Sequence, residues 1–213
     1  MSTHLQGLKK LVETCHRHGL FLKTVPPEGT LPGLGELFLG QPFDPVLAAL
    51  YSKLSAAILG DFQLYSWGSG EGQLATLNAG MRSFGEEPYM SAVLFGQVSI
   101  MAYYLATVPS LADAEGNQPV VFIDGYERHQ VLPVASSVDT FFATFSVYLE
   151  RAVMTEEYAV ERRIDLHFPT SVPDLIALDC PLVNALSSDR FNKLMRDDDE
   201  SREWISAVTR AVR

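Results

Sequence analysis

Cysteine is scarce in this chain. Two occur in 213 residues, Cys15 and Cys180, with no CxxC spacing. That excludes a disulfide framework and makes a reducing cytoplasm the expected compartment. Cys15 precedes His16, but neighbouring helical residues point well apart, so the pair reads as a plain helix cysteine and its neighbour. Long apolar runs are missing too. None approaches the ~20 residues that span a bilayer, and the most apolar stretch, 92–105, is interrupted by Gly96, Gln97 and Ser99. The N-terminal STHLQGLKKLVETC has no continuous apolar segment, so neither a secretory leader nor a membrane partner is expected. Positive charge is the third shortage: 16 Lys and Arg stand against 26 Asp and Glu, a formal net charge of −10. Nucleic-acid binding needs a cationic face, and an acidic chain attracts basic partners instead.

Chemical motifs are absent as well. The Gly68–Gly72 stretch GSGEG has no Lys and carries Glu71, which would repel phosphate; it also fails the GxSxG pattern because Trp67 precedes it. His16 and His18 are not spaced for a helical metal pair, and the acidic run 197–200 lacks the spaced ligands and central glycine of a calcium loop. Asp124, Glu127 and His129 read as solvated turn residues rather than an acid–base pair, and His167 stands alone. These shortages predict no catalytic residue, no metal and no cofactor, so the chain is not expected to be an enzyme.

What is present is an ordinary globular share of apolar residues, 47%, with a mean hydropathy of +0.08, enough for one sizeable core. The chain is organised around 118–153. Val120 to Ile123 form a short β-branched run, Asp124-Gly125 supplies a hairpin turn dipeptide, and 130–134 make the return strand. Ser136, Ser137 and Asp139 then start a helix whose stripe is Val138, Phe141, Phe142, Phe145, Tyr148, Leu149 and Val153.

Upstream, 4–19 read as an amphipathic helix ending at Gly19, and 24–35 as a Pro/Gly connector. Asp44-Pro45 opens a helix whose stripe runs to Ile58, with Gly60 as its stop. Strands are expected at 62–67, 92–95 and 98–107, with Gly96 separating the second from the third. Tyr65 and Trp67 flank the glycine loop and are candidate contact aromatics. After Val153 the pattern becomes helical: Thr155 to Ile164, Leu175 to Leu178, Leu182 to Leu194, and a final helix after the acidic run. The expected fold is α+β, with an antiparallel or mixed sheet of about five to six strands packed against helices. Residues 1–153 form the domain, and 154–213 a helical extension packed on it.

The segment QPVVFIDGYERHQVLPVASSVDTFFATFSVYLE resembles the end of a SUKH-superfamily domain, the cell-wall-synthesis-regulator fold that bacteria use widely for toxin-immunity proteins. There a final strand pair leads into a Phe-rich helix, and Pro133, Ala135, Ser136, Phe141 and Phe142 stand in the matching places. The resemblance covers roughly residues 25–153 and consists of packing residues; the helical tail is longer than the pattern requires. It implies an immunity protein that neutralises a cognate toxin by occlusion, and the acidic balance suits a basic toxin such as a nuclease. Candidate contact residues are Tyr65, Trp67, Glu71, Asp124, Tyr126 and Glu127, all in or near expected loops. The alternatives are a small-molecule enzyme or regulator with a pocket in the sheet, and a scaffold of the same fold.

Overall fold

A computed structural model of the chain describes residues 5–30, 37–68, 73–98, 102–127 and 129–211. Its centre is the unit the sequence pointed to. Strand β8 (Val120–Asp124) pairs antiparallel with β9 (Gln130–Ala135), and helix α4 (Val138–Val153) follows. Ser137 is the N-cap, its hydroxyl accepting from the Thr140 amide at 3.2 Å. Asp139 then accepts from the Gly7 amide at 2.8 Å, which ties α4 to the first turn of α1 (Gln6–His18).

Seven strands form one antiparallel meander in the order β1-β4-β5-β6-β7-β8-β9. Its other members are β1 (Leu22–Val25), β4 (Ala56–Leu59), β5 (Phe62–Leu64), β6 (Val93–Val98) and β7 (Tyr103–Thr107). Strands β2 (Leu37–Phe38) and β3 (Gln41–Pro42) make a separate small hairpin, and helix α3 (Leu74–Arg82) connects β5 to β6. The fold is α+β, as expected, with a wider sheet than the expected five to six strands.

The extra width comes from two places where local pattern misleads. Helix α2 (Pro45–Tyr51) starts as expected, with Asp44 accepting from the Val46 and Leu47 amides, but it stops at Tyr51. Ala57 and Ile58 belong to β4, and Gly60 (φ 67°) makes the β4–β5 turn rather than a helix stop. A stripe of Leu54, Ala57 and Ile58 fits a helix, yet pairing β4 with strands on both sides satisfies its backbone and buries Ala57 and Leu59. Its partner β1 lies partly in the stretch read as a connector, and Pro26 ends it.

Gly96 likewise does not separate one strand from the next. It lies inside β6, at a register shift between Leu94 and Gly96. A β-carbon there would sit 2.6 Å from the Gln63 carbonyl oxygen and from the Phe62 ring, so glycine lets Phe62 lie flat on the strand. Strand β7 begins at Tyr103, later than expected. The Asp124-Gly125 pair also serves differently. The β8–β9 connection is longer than two residues, and among its described residues the left-handed one is His129 (φ 60°). Gly125 instead packs against Ala102, its amide donating to the Ala102 carbonyl at 2.8 Å.

Helix α4 covers one face of the sheet. Phe62 sits under it with ring centroids 5.6 Å from Phe141, 5.6 Å from Phe142 and 6.0 Å from Phe145. Phe168 closes the cluster at 5.2 Å from Phe145. The C-terminal helices α5 (Glu156–Glu161), α6 (Pro173–Ile176), α7 (Cys180–Ser187) and α8 (Asp199–Arg210) follow. Asp179 caps α7 through the Leu182 amide and also accepts from the Ser136 amide, at 3.1 and 2.6 Å. The buried Trp204 of α8 donates its indole N–H to the Pro133 carbonyl at 3.3 Å. The tail therefore covers the β9 edge, where Pro133 offers no amide. Among the described residues, no helix is long and apolar enough to cross a membrane.

Candidate functional site

The register of the last strands builds a polar row at one end of the sheet. Tyr103 on β7 stands opposite Asp124 on β8, and Asp124 opposite Gln130 on β9. The next row on the same face is apolar: Leu105, Phe122 and Leu132. The segment 164–170 arches over this end, held by the Tyr148 hydroxyl, which donates to the Leu166 carbonyl at 2.8 Å. Between arch and sheet lies a partly open cleft of about 390 Å³. Val98, Tyr103, Phe122 and Leu132 line it from the strands, Phe168 from the arch, and Asp61 from the β4–β5 turn. His167 stands exposed at its rim.

Asp61 is the unusual group. Its Oδ1 is shut off from solvent and receives no hydrogen bond. Burial pushes its carboxyl up from 3.8 to about 6. Its charge reaches the neighbours: burial first and Asp61 second push the Cys15 thiol up to about 11, and the same two causes raise the Tyr148 phenol. Asp44 shows the contrast. It too is buried and pushed up to about 6, but three backbone amides, from Leu47, Gln118 and Val46, satisfy it.

A second, shallower groove of about 420 Å³ lies next to the cleft and shares Gln130, Leu132 and Thr170 with it. Glu127 borders it on one side and Glu200 and Glu203 of α8 on the other. Gln130 bridges the two sides, its amide donating to Glu200 at 3.1 Å. With Asp124, four carboxylates from two distant stretches of the chain meet here. Arg128 lies outside the described residues.

The expected contact residues are divided by the structure. Asp124, Tyr126 and Glu127 come together: the Asp124 carboxylate accepts from the Tyr126 and Glu127 amides at 2.8 and 3.1 Å. Tyr126 is 60% exposed and meets Tyr103 edge-on at 6.0 Å. Tyr65 is elsewhere and buried, its hydroxyl donating to Gln97 at 3.0 Å. Trp67 is half-buried in a cluster with Phe38, Phe43 and Tyr51, at 5.5 to 5.9 Å. Tyr65 packs inward, whereas Trp67 rests against these rings and also lines a surface groove with Leu74 and Ala75. Glu71 lies outside the described residues. His129 is held against Tyr89, whose hydroxyl is 2.8 Å from its Nδ1.

Sequence reasoning missed Asp61, Glu200 and Glu203, and read His167 as isolated. Only the Gly60-Asp61 turn had a local signal, and the helical stripe concealed it. Among the described residues, no three His, Cys, Asp or Glu side chains converge closely enough to hold a metal ion. Comparison with protein-family models and with curated proteins gave no match.

Proposed function

We propose that this chain is an immunity-type binding protein of the SUKH kind, acting in the cytoplasm, that neutralises a basic protein toxin by occluding its working face. The carrying observation is the meeting of Glu127 with Glu200 and Glu203 around the second groove, next to Asp124 of the neighbouring cleft and the exposed Tyr126. A nuclease must present cationic surface to attract phosphate, and a concentrated negative face steers such a partner into contact. Tyr126, exposed next to Glu127, supplies an amphipathic aromatic, a residue type that often dominates binding energy. The packing resemblance over 25–153 supports the same reading.

The test is capture of a partner from cells carrying the neighbouring genes, followed by rescue: expression of this chain relieves the partner's toxicity. Reversing charge at Glu127 and Glu200 together slows association about tenfold at low salt, with a smaller effect at high salt. A captured toxin that associates at the native rate with the double reversal overturns the assignment of this face. Absence of any rescue overturns the function.

A second reading, a small-molecule regulator with a pocket in the sheet, is favoured by one observation: the cleft holds a carboxylate whose buried oxygen has no donor.

A further inference from the structure

We infer that the cleft beside Asp61 is a socket for an alkyl cation, a guanidinium or primary ammonium carried on a short aliphatic stem. Several features of the cleft select this ligand. Two carboxylates, Asp61 and Asp124, line it, and no Lys or Arg does among the described residues. An anion entering would be repelled, and a neutral ligand would leave Asp61 uncompensated. One oxygen of Asp61, Oδ1, is sealed and has no donor, so the carboxylate depends for compensation on the side it turns to the cleft. A charged N–H donor in the cleft supplies it.

The walls suit the rest of such a ligand. Tyr103, Phe122 and Phe168 present aromatic surface to a cation, and Val98 and Leu132 present aliphatic surface to a stem. The volume, about 390 Å³, falls in the range of small-ligand sites. A metal ion does not fit the donor set, because no third acidic or imidazole group converges with the two carboxylates among the described residues. The groove bordered by Glu127, Glu200 and Glu203 adjoins the cleft, and its charge draws cations toward it.

Burial raises the Asp61 carboxyl, and a bound cation favours its ionised form. Affinity therefore falls as pH drops through about 6. The other titratable groups facing this region are Cys15 on α1, Tyr148 on α4, Tyr103 on β7, Asp124 on β8 and His167 on the arch. The Cys15, Tyr103 and Tyr148 groups are raised and stay neutral at pH 7. The Asp61 variant isolates the contribution of Asp61 from that of the other groups.

The alkyl cation has two sources, a free amine or a partner's arginine or lysine side chain. Isothermal titration of the full chain with agmatine, and with a blocked Gly-Arg-Gly peptide, distinguishes them. Both bind, the tighter one naming the source, and butyrate does not. Asp61→Asn weakens binding about tenfold or more while leaving the fold intact by circular dichroism. Asp124→Asn weakens it to a lesser degree. Failure of both cations to bind up to about 10 mM overturns the socket, since that affinity is below any specific site. So does binding to Asp61→Asn at native strength.

The socket stands on the cleft alone and goes beyond the toxin reading. Loss of rescue with agmatine binding retained removes that reading and leaves the socket. Rescue without cation binding does the reverse.

Discussion

Two halves of one sheet face have opposite character. Under α4, Phe62, Phe95, Phe141, Phe142 and Phe145 are all fully buried with their rings in tilted or edge-on contact. A few residues away on the same face, Asp61, Tyr103 and Asp124 line an open cleft. The strands are continuous between the two. The change is one step of the two-residue repeat, from the row Leu105–Phe122–Leu132 to the row Tyr103–Asp124–Gln130. On the helix side the change comes at Tyr148, the last aromatic of the stripe, whose hydroxyl reaches the arch instead of filling the space. A core and a binding cleft can thus share one surface, divided by where a helix runs out of phenylalanine.

The largest expected effect breaks the dry half. Phe62→Ala removes the ring at the centre of the cluster and leaves a cavity under a rigid helix. It costs about 3–5 kcal/mol, read as a drop in denaturation midpoint at unchanged denaturant slope. A loss below about 1 kcal/mol would mean the cluster collapses to fill the gap, and that the two halves are less different than their packing implies.

A middle effect, of opposite sign, belongs to the cleft. The Asp61 carboxyl rises from 3.8 to about 6 on folding. The folded state therefore holds the proton more tightly than the unfolded state. Stability conferred by that proton is full below pH 4 and is lost as pH rises to about 6. At pH 7 the ionised carboxylate is a burden, and Asp61→Asn stabilises the chain by about 1–2 kcal/mol. Thermal melts between pH 4 and 7 check it: the variant's curve is flatter, and some of the residual slope belongs to Asp44, raised for the same reason. A variant less stable than native at pH 7 contradicts the account.

The smallest effect lies outside both halves. Arg151 and Asp174 make a two-pronged ion pair at 2.9 and 2.7 Å between α4 and α6, but both side chains are about half exposed. Arg151→Ala costs at most about 1 kcal/mol, less at high salt. A larger loss would show that α6 is held by this pair rather than by Leu175 and Ile176 beneath it.

Much of the dry half was legible in advance. The stripe of α4, its serine cap and the β8 run follow from spacing and residue type, because each is decided by neighbours a few positions away. The expected contact residues Asp124, Tyr126 and Glu127 were legible as a turn for the same reason, though the roles of Gly125 and His129 within it were not. Legibility failed where two local patterns were equally good. Ala57 and Ile58 fit a helix and a strand alike, and only β1 and β5 on either side chose between them. The packing of Tyr65 and Trp67 depended on Gln97 and on Phe38, Phe43 and Tyr51, all remote in the chain.

By itself the sequence determined the charge, the α+β class and the hydrophobic unit at the centre of the core, since composition and periodicity are properties of short stretches. The tertiary structure alone decided that one oxygen of a turn carboxylate at position 61 is buried without a donor, and that glutamates near residue 200 stand beside one at 127. Burial and long-range proximity are created by the closing of the chain on itself, and no local pattern encodes them.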